Sequence, residues 1–225
     1  VAKRQGLMVT FMAKWNADLP GSSGHLHQSL WDSTGAKNLL ADPKGPDGLS
    51  PLGRQYLAGL LHGMVDLTAV YAPTVNSYKR LAVSESASGT TWSPVWKAAG
   101  DNNRTCLVRT VAGRIEWRLP DPSCNVYAAL AATLAAGLDG IDRELPAPQA
   151  CDADLYQRHA AGDAMPPRLP RDLHDALAAL RSDAILRDDL GEAFCEQFLA
   201  LKGPDWDGYA QQVGEWELAR YADGF

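Results

Sequence analysis

No stretch of the sequence is apolar for long enough to cross a membrane, because a spanning helix needs about 20 predominantly apolar residues. Residues 1–5 also lack the pattern of a secretory signal. We therefore expect a cytoplasmic protein that does not have a membrane among its partners.

Cysteine is scarce as well. The four cysteines stand at positions 106, 124, 151 and 195, and no two of them form a C-x-x-C pair. In a chain of 225 residues this usage favours reduced thiols over a disulfide framework.

The sequence also has no excess of positively charged residues. The formal net charge is −6, which argues against nucleic acid as the main partner. The fractions of hydrophobic residues (46%) and charged residues (21%) are ordinary for a globular protein. The length suits one domain or a large part of a bigger one.

Four segments have the composition of β-strands, namely residues 7–13, 25–31, 105–110 and 114–119. The first is an apolar run rich in β-forming residues, which predicts a buried strand. The last two are joined by the tight turn Ala112-Gly113, which predicts a hairpin.

Helical signals occupy much of the remaining chain. Ser50-Pro51 supplies a capping hydroxyl and a first-turn proline, and Pro73 ends the predicted helix. Asp121-Pro122-Ser123 opens the next one, and further helices are expected at about 170–182, 185–202 and 204–221. The apolar stripe of the second helix consists of Tyr127, Leu130, Ala131, Leu134 and Leu138. Strands with intervening helices, followed by helices alone, indicate an α+β fold with a helical C-terminal layer.

Charge is distributed unevenly along the chain. Residues 76–118 contain seven Lys or Arg and three Asp or Glu, so this segment carries +4 and the rest carries −10. Arg114, Glu116 and Arg118 share one face of a strand, because side chains on a strand alternate between its two faces. Such a face could clamp a polyanion while its carboxylate holds a metal. A solvated face with cross-strand ion pairs explains the same spacing.

Two further polar groups stand out. His25 and His27 share a strand face, which Ser29 continues, and this arrangement favours a ligand site over two isolated core histidines. Polar residues 76–80 follow a proline-ended helix, a position typical both of sites and of helix ends. One glutamate and two histidines cannot hold two hard divalent ions, so a metal–nucleotide site here would need carboxylates from outside this sequence.

Several motifs in this order resemble the C-terminal half of the glutamine synthetase catalytic domain: residues 10–14, 21–30, 76–81, 103–105, 114–118 and 135–141. The resemblance covers essentially the whole chain and is strongest from residue 10 to 142. It implies an antiparallel sheet packed with helices, with a nucleotide- and glutamate-binding part at 1–142 and a helical C-terminal segment of the same domain at 143–225. It also implies that the family's N-terminal β-grasp domain is not in this chain.

The resemblance carries site roles position by position. It implies that a metal ion is held by His25 and Glu116. It implies that ATP is contacted by His27, Ser29, Arg104, Arg109 and Arg114. It implies that glutamate is bound by Gly21, Arg80 and Arg118, and that Arg104 and Glu85 take part in catalysis.

The implied reaction is ATP-dependent joining of glutamate to ammonia through γ-glutamyl phosphate, with Mg²⁺ or Mn²⁺, in a homo-oligomeric ring. Residues 88–94 and 100–104 look most like type III glutamate–ammonia ligases and γ-glutamylmethylamide synthetases. The family's flap glutamate would fall at Ser86, and Glu85 is one position short, so a ligase for an alkylamine or polyamine stays open. Trp92 and Trp96 could then form an apolar wall, or simply pack. A non-catalytic relative is the third alternative.

Overall fold

The computed structural model describes residues 1–83, 85–86, 89–111 and 113–223. The strands are β1 (Leu26–Gln28), β2 (Glu85–Ser86), β3 (Gly89–Thr90), β4 (Ala99–Asp101), β5 (Val108–Val111) and β6 (Arg114–Trp117). The α-helices are α1 (Pro51–His62), α2 (Thr68–Tyr71), α3 (Val75–Arg80), α4 (Val126–Asp142), α5 (Leu155–Ala161), α6 (Leu173–Ser182), α7 (Ala184–Leu190), α8 (Glu192–Ala210) and α9 (Glu215–Tyr221).

The main sheet has the order β1-β6-β5-β4, and β2 pairs with β3 separately. β1, β6 and β5 are antiparallel neighbours, whereas β4 runs parallel to β5. The sheet packs against helices, so the expected α+β fold with a helical C-terminal layer is confirmed. The parallel edge strand makes the sheet mixed where we expected an antiparallel one.

The predicted hairpin is present as β5 and β6. Val108, Ile115 and Trp117 point into the core and are fully buried. Arg109 and Glu116 occupy the alternate positions and face the other side of the sheet, as the period of a strand requires. β5 begins at Val108, three residues later than predicted, so Arg104 lies in the turn before the strand.

The predicted strand over residues 7–13 is wrong. The segment is not part of a strand, and its apolar side chains are exposed up to Met12, while Ala13 is fully buried. A run of β-forming residues makes a strand only when a neighbour supplies the partner hydrogen bonds, and the described residues do not supply one. The strand predicted at 25–31 forms over the three residues of β1.

The long helix predicted from Ser50 to Pro73 forms as two shorter ones. Ser50 caps α1 as expected, since its side chain accepts a hydrogen bond from the Gly53 amide at 3.0 Å. The helix ends at His62, where Gly63 occupies the C-cap and turns lead to α2. Apolar spacing alone did not reveal this interruption, because the turn residues keep the helical hydrophobic period.

α4 packs against α1 with the face opposite to the one predicted. The predicted stripe is exposed, with 81% exposure at Tyr127 and 44% at Leu130, whereas the alanines and glycines of α4 are buried. A Cβ atom at Gly59 of α1 would lie 2.0 Å from the Ala136 carbonyl oxygen. The two helices approach so closely that only small side chains fit between them.

The C-terminal helices also depart from prediction. α8 continues through Pro204, where we predicted a break, and α9 starts only at Glu215. The proline removes one helical hydrogen bond, but Ala200, four residues earlier, is exposed and its carbonyl can be hydrated. Within the described part of the chain, no helix is long and apolar enough to cross a membrane.

Candidate active site

A row of polar side chains crosses the face of the sheet that points away from the hydrophobic core. His27 on β1 is paired with Glu116 on β6, and Glu116 is paired with Arg109 on β5. Arg118 Nε lies 3.6 Å from Glu116 Oε1, as expected for two side chains on the same face. The row is continued at its edge by Arg114, whose Nε donates to His27 Nδ1 at 3.2 Å.

Glu116 is the centre of this row. Its side chain is almost fully buried and accepts a hydrogen bond from Arg109 Nη1 at 2.8 Å. The same carboxylate lies 2.8 Å from His25 Nδ1 and 3.6 Å from Arg118 Nε. Burial raises the pKa of Glu116, but the Arg109 hydrogen bond and the charges around it outweigh that effect and lower the pKa overall. The carboxylate is therefore ionised.

His25 is oriented from both ring nitrogens. Its Nδ1 contacts Glu116 Oε1, and its Nε2 lies 3.0 Å from Ser23 Oγ. Burial and the positive charge of Arg118 lower the pKa of His25, and the opposing attraction of Glu116 is weaker. A neutral imidazole with a fixed orientation is the form that binds a metal ion.

His25 and Glu116 have the donor types and spacing for a shared divalent cation. Two ligands on adjacent corners of an octahedral Mg²⁺ site, each about 2.1 Å from the ion, lie about 3 Å apart. The Nδ1–Oε1 separation of 2.8 Å is close to that value. Among the described residues, no group of three or more His, Cys, Asp or Glu side chains is placed to hold a metal. These two residues fit one edge of a site and leave its other positions open.

Arg80 and Arg118 are buried beside this pair. Arg80, which ends α3, donates through Nη2 to the carbonyl of Leu119, and burial lowers its pKa to about 10. Arg118 Nη1 donates to the carbonyls of Arg104 and Cys106, and its Nη2 donates to the Trp92 carbonyl at 3.1 Å. Among the described residues, the Nε atoms of both arginines lack a hydrogen-bond acceptor.

The two arginines border a small polar cavity of about 100 Å³. Its lining includes Lys14, Gly21, Ser23, His25, Arg80 and Arg118. The cavity thus joins the three residues assigned to glutamate with the histidine assigned to the metal. Buried cations around a small cavity are suited to binding carboxylates.

Gly21 is required by the closeness of its neighbours. A Cβ atom there would lie 2.6 Å from the Ala13 carbonyl oxygen and 2.7 Å from Cγ of Arg80. The loop is held in this position because the Ser22 amide donates to the same Ala13 carbonyl at 2.8 Å. Any side chain at position 21 would displace Arg80.

The residues assigned to ATP lie along the open edge of the row. Arg109 donates to Glu116 and, through Nε at 3.1 Å, to the side chain of Asn102. Arg104 is exposed in the turn before β5. Ser29 is exposed beyond β1 and accepts a hydrogen bond from the Trp31 indole at 2.9 Å. The structure brings His27, Arg109 and Arg114 together and places Ser29 and Arg104 at the margins.

The flap falls partly outside the described residues. Ser84, Ala87 and Ser88 lie outside the described residues, as does the side chain of Glu85, so the role of Glu85 stays a prediction. The backbone of Glu85 pairs with Thr90 in the β2–β3 hairpin.

Lys14 and Trp92 also line the cavity. Lys14 belongs to a motif that we matched to the family without assigning it a function, and the structure places it in the lining. Trp92 borders the cavity, is 46% exposed and has a positive φ of 53°. A bulky residue in that backbone region is uncommon and is found at strained or functional positions. Trp96 is buried, and its ring centroid lies 5.6 Å from that of Tyr156. Trp96 is therefore a packing residue.

Comparison with known proteins identifies the family. The family model described as "Glutamine synthetase, catalytic domain" matches residues 1–221. A glutamate–methylamine ligase of Methyloversatilis universalis is 42% identical over 232 residues, which cover 100% of this chain and 51% of that protein. A glutamine synthetase of Rhizobium meliloti is 41% identical over 219 residues, which cover 96% of this chain and 50% of that protein.

Solved structures agree with these matches. The structure described as "Apo GmaS without ligand" has a TM-score of 0.86 at 41% identity, covering 99% of this chain and 50% of that one. The structure described as "GmaS/ADP complex-Conformation 1" has a TM-score of 0.89 at 43% identity, covering 98% and 50% respectively. The chain thus spans about half the length of the relatives it matches, and it belongs to the glutamine synthetase catalytic-domain family.

Proposed function

We propose that this chain is the glutamate- and nucleotide-binding part of an ATP-dependent carbon–nitrogen ligase that forms a γ-glutamyl amide. The observation that carries the proposal is the small cavity between Arg80 and Arg118, which opens beside the His25–Glu116 pair. A dicarboxylic amino acid in this cavity would place one carboxylate against buried guanidinium groups. Its other carboxylate would lie near the row that leads to Arg109.

We place the nucleotide along the row of polar side chains on the sheet. Arg109 on β5 and Arg114 on β6 present cations on the same face of the sheet, and a solved relative of 43% identity is described as an ADP complex. Arginine side chains bind phosphate oxygens through charge-assisted hydrogen bonds. In the proposed reaction the γ-phosphoryl group passes from ATP to an oxygen of the glutamate side-chain carboxylate. An amine nitrogen then attacks the acyl carbon, phosphate leaves with that oxygen, and the ammonium product loses a proton.

His25 and Glu116 are the proposed ligands of a divalent cation, Mg²⁺ or Mn²⁺. When bound, such an ion neutralises charge that develops on the transferred phosphoryl group. The residues of this chain do the rest: they hold glutamate, orient phosphate oxygens and keep Glu116 ionised. Further carboxylate ligands would come from outside these 225 residues, in a site completed by a neighbouring subunit of a homo-oligomeric ring.

Ammonia is the amine we favour, and methylamine or a longer amine is the second candidate. The relatives include both glutamine synthetases and a glutamate–methylamine ligase. Trp92 gives the second candidate its specific support, because its half-exposed indole borders the cavity. A methylammonium ion would be stabilised against such a ring by an apolar contact and a cation–π interaction.

A non-catalytic relative is the alternative from another class. The buried, ordered arrangement of Arg80, Arg118 and Glu116 favours a working site, since buried charges are costly without a function or a partner. The deciding experiment is an assay of the full-length protein with ATP, glutamate and each amine, in which both ADP and the γ-glutamyl amide are measured. Glutamate-dependent formation of both products supports the ligase. ATP binding without either product supports the non-catalytic alternative.

A further inference from the structure

Lys14 lies at the cavity although its motif carried no assigned role. It is half-buried and lines the cavity together with Arg80 and Arg118. Its Nζ donates one hydrogen bond, to the Leu19 carbonyl at 2.5 Å. A lysine ammonium has three donors, so two remain for another acceptor.

The backbone of Lys14 is fixed from a distant part of the sequence. The Lys14 amide donates to Asn76 Oδ1 at 2.8 Å, and Asn76 Nδ2 donates back to the Lys14 carbonyl at 2.7 Å. The two residues are 62 positions apart, and the pair of hydrogen bonds holds both backbone polar groups of Lys14. A single side chain that satisfies both groups sets the position and direction of the segment more firmly than packing would.

Asn76 and Arg80 are held by the same helix. They are four residues apart on α3, so they lie on one face of it. Thr74 and Ser77 form a capping box that fixes the start of this helix. α3 therefore sets the distance between the Arg80 guanidinium and the segment that bears Lys14.

The loop after Lys14 returns to the cavity. The Ala13 carbonyl accepts from the Ser22 amide at 2.8 Å, and Lys14 Nζ spans the loop to Leu19. As a result, Gly21 packs directly against the Arg80 side chain. Lys14 stands where this loop, helix α3 and the cavity meet.

We propose that Lys14 is a third cation of the glutamate pocket, donating to a substrate carboxylate, and that Asn76 is the positioning residue that aims it. The inference rests on the proposed function, because it assumes that glutamate occupies this cavity. A purely structural Lys14, needed only for its bond to Leu19, would affect folding and both substrates alike. A substrate-binding Lys14 affects glutamate alone.

The test uses the full-length protein and two measurements: the Kd for glutamate by calorimetry and the separate KM values for glutamate and ATP. Lys14→Gln removes the charge, and Lys14→Arg keeps it. Asn76→Ser removes both hydrogen bonds to the Lys14 peptide. Lys79→Gln is the matched control, since Lys79 is an exposed cation on the same helix and does not line the cavity.

Lys14→Gln is expected to raise the Kd and KM for glutamate about tenfold or more, as the loss of a hydrogen bond to a charged group implies. The KM for ATP and the melting temperature should stay near those of the wild type, and Lys14→Arg should retain most of the affinity. Asn76→Ser should raise the glutamate constants too. In the Lys14→Gln background the same Asn76 substitution should add little, because it acts through Lys14.

Unchanged glutamate constants in Lys14→Gln, or equal changes for glutamate and ATP with a lowered melting temperature, overturn the inference. If Lys14→Gln does not fold, unchanged glutamate constants in Asn76→Ser overturn it instead. Wild-type protein that does not bind glutamate overturns both the inference and the proposed function. Wild-type binding with an unaffected Lys14→Gln variant overturns the inference alone.

Discussion

Glu116 on β6 lies directly opposite Arg109 on β5, and Arg109 Nη1 donates to Glu116 Oε2 at 2.8 Å. The residue proposed to hold a cation is thus paired with a residue proposed to hold phosphate. A divalent ion bound by Glu116 would share its carboxylate with the guanidinium, so we expect metal and nucleotide binding to depend on each other. The coupling follows from the strand register, which places the two side chains on the same face.

Arg109→Ala should lower kcat/KM for ATP about a hundredfold, since removing one donor to a developing charge costs about 2–4 kcal/mol. Arg104→Ala should act in the same direction. The measurement is steady-state kinetics of the full-length protein with ATP varied. Arg143→Ala, which removes an exposed ion pair with Asp139, is the control and should have little effect. Unchanged kcat/KM in both test variants would contradict the phosphate assignment.

His25→Ala and Glu116→Gln should each shift the metal dependence of activity to higher Mg²⁺ or Mn²⁺. The reason is that both side chains point to one site, with Nδ1 and Oε1 2.8 Å apart. A metal titration of activity compares the two variants with His62→Ala, an exposed histidine outside the cavity. A shift in one variant and not in the other would show that the residues do not share an ion.

Gly21→Ala should impair glutamate binding and destabilise the protein by about 1–3 kcal/mol, the usual cost of forcing atoms into a packed space. The added Cβ would collide with the Ala13 carbonyl and with Arg80. The readouts are thermal unfolding and the glutamate KM. Gly203→Ala is the matched control, because a Cβ there meets nothing within 4 Å. An unaffected glutamate KM in Gly21→Ala would mean that the loop does not set the position of Arg80.

The face shared by Arg114, Glu116 and Arg118 could be predicted because it depends only on alternation along one strand. The motifs likewise located the cavity residues Gly21, His25, Arg80 and Arg118. The resemblance gave the family and its fold without tertiary information. These are short-range or recurrent features that a single sequence contains.

Other features depend on contacts that sequence periodicity does not encode. The stripe from Tyr127 to Leu138 has the period of a buried face, yet α4 turns its small residues to α1 because Gly59 allows the backbones to meet. Residues 7–13 have strand composition but lack a strand partner in the described residues. The clamp between Lys14 and Asn76 joins two segments 62 positions apart, so no local pattern could reveal it.

Trp92→Ala should discriminate between the candidate amines. If the indole binds an alkylammonium, the substitution lowers kcat/KM for methylamine and leaves that for ammonium nearly unchanged. The contribution of a partly exposed cation–π contact is about 0.5–1 kcal/mol, so a several-fold change is expected. The assay compares ammonium, methylamine, ethylamine and putrescine in wild type and variant.

The wild-type ranking in the same assay decides the amine. Ammonium preferred by more than about a hundredfold, together with an inactive Glu85→Ala variant, would reject an enlarged amine pocket, because a pocket with room for the methyl group would not exclude methylamine so strongly. A substituted amine preferred over ammonium would reject the ammonia assignment. Phe194→Ala, at a distant cavity, serves as the control for general loss of stability.

The 225 residues alone should not catalyse ligation. As proposed, the described residues would supply two of the ligands that a hard divalent cation needs, and they place no third His, Cys, Asp or Glu side chain to complete the set. The purified segment is assayed with ATP, glutamate and amine against a metal–ATP blank. Formation of glutamine or a glutamylamide above that blank would contradict this expectation, because it would show that the cavity and the neighbouring cations are sufficient for ligation.

In the proposed reaction, ATP phosphorylates the glutamate bound between Arg80 and Arg118 before the amine attacks. The most direct test supplies the full-length protein with glutamate labelled with ¹⁸O in its γ-carboxylate, together with ATP and the preferred amine. Because the carboxylate oxygen leaves with the phosphate, we expect one ¹⁸O atom in each inorganic phosphate formed, measured by mass spectrometry. Unlabelled phosphate released alongside the γ-glutamyl amide would contradict it.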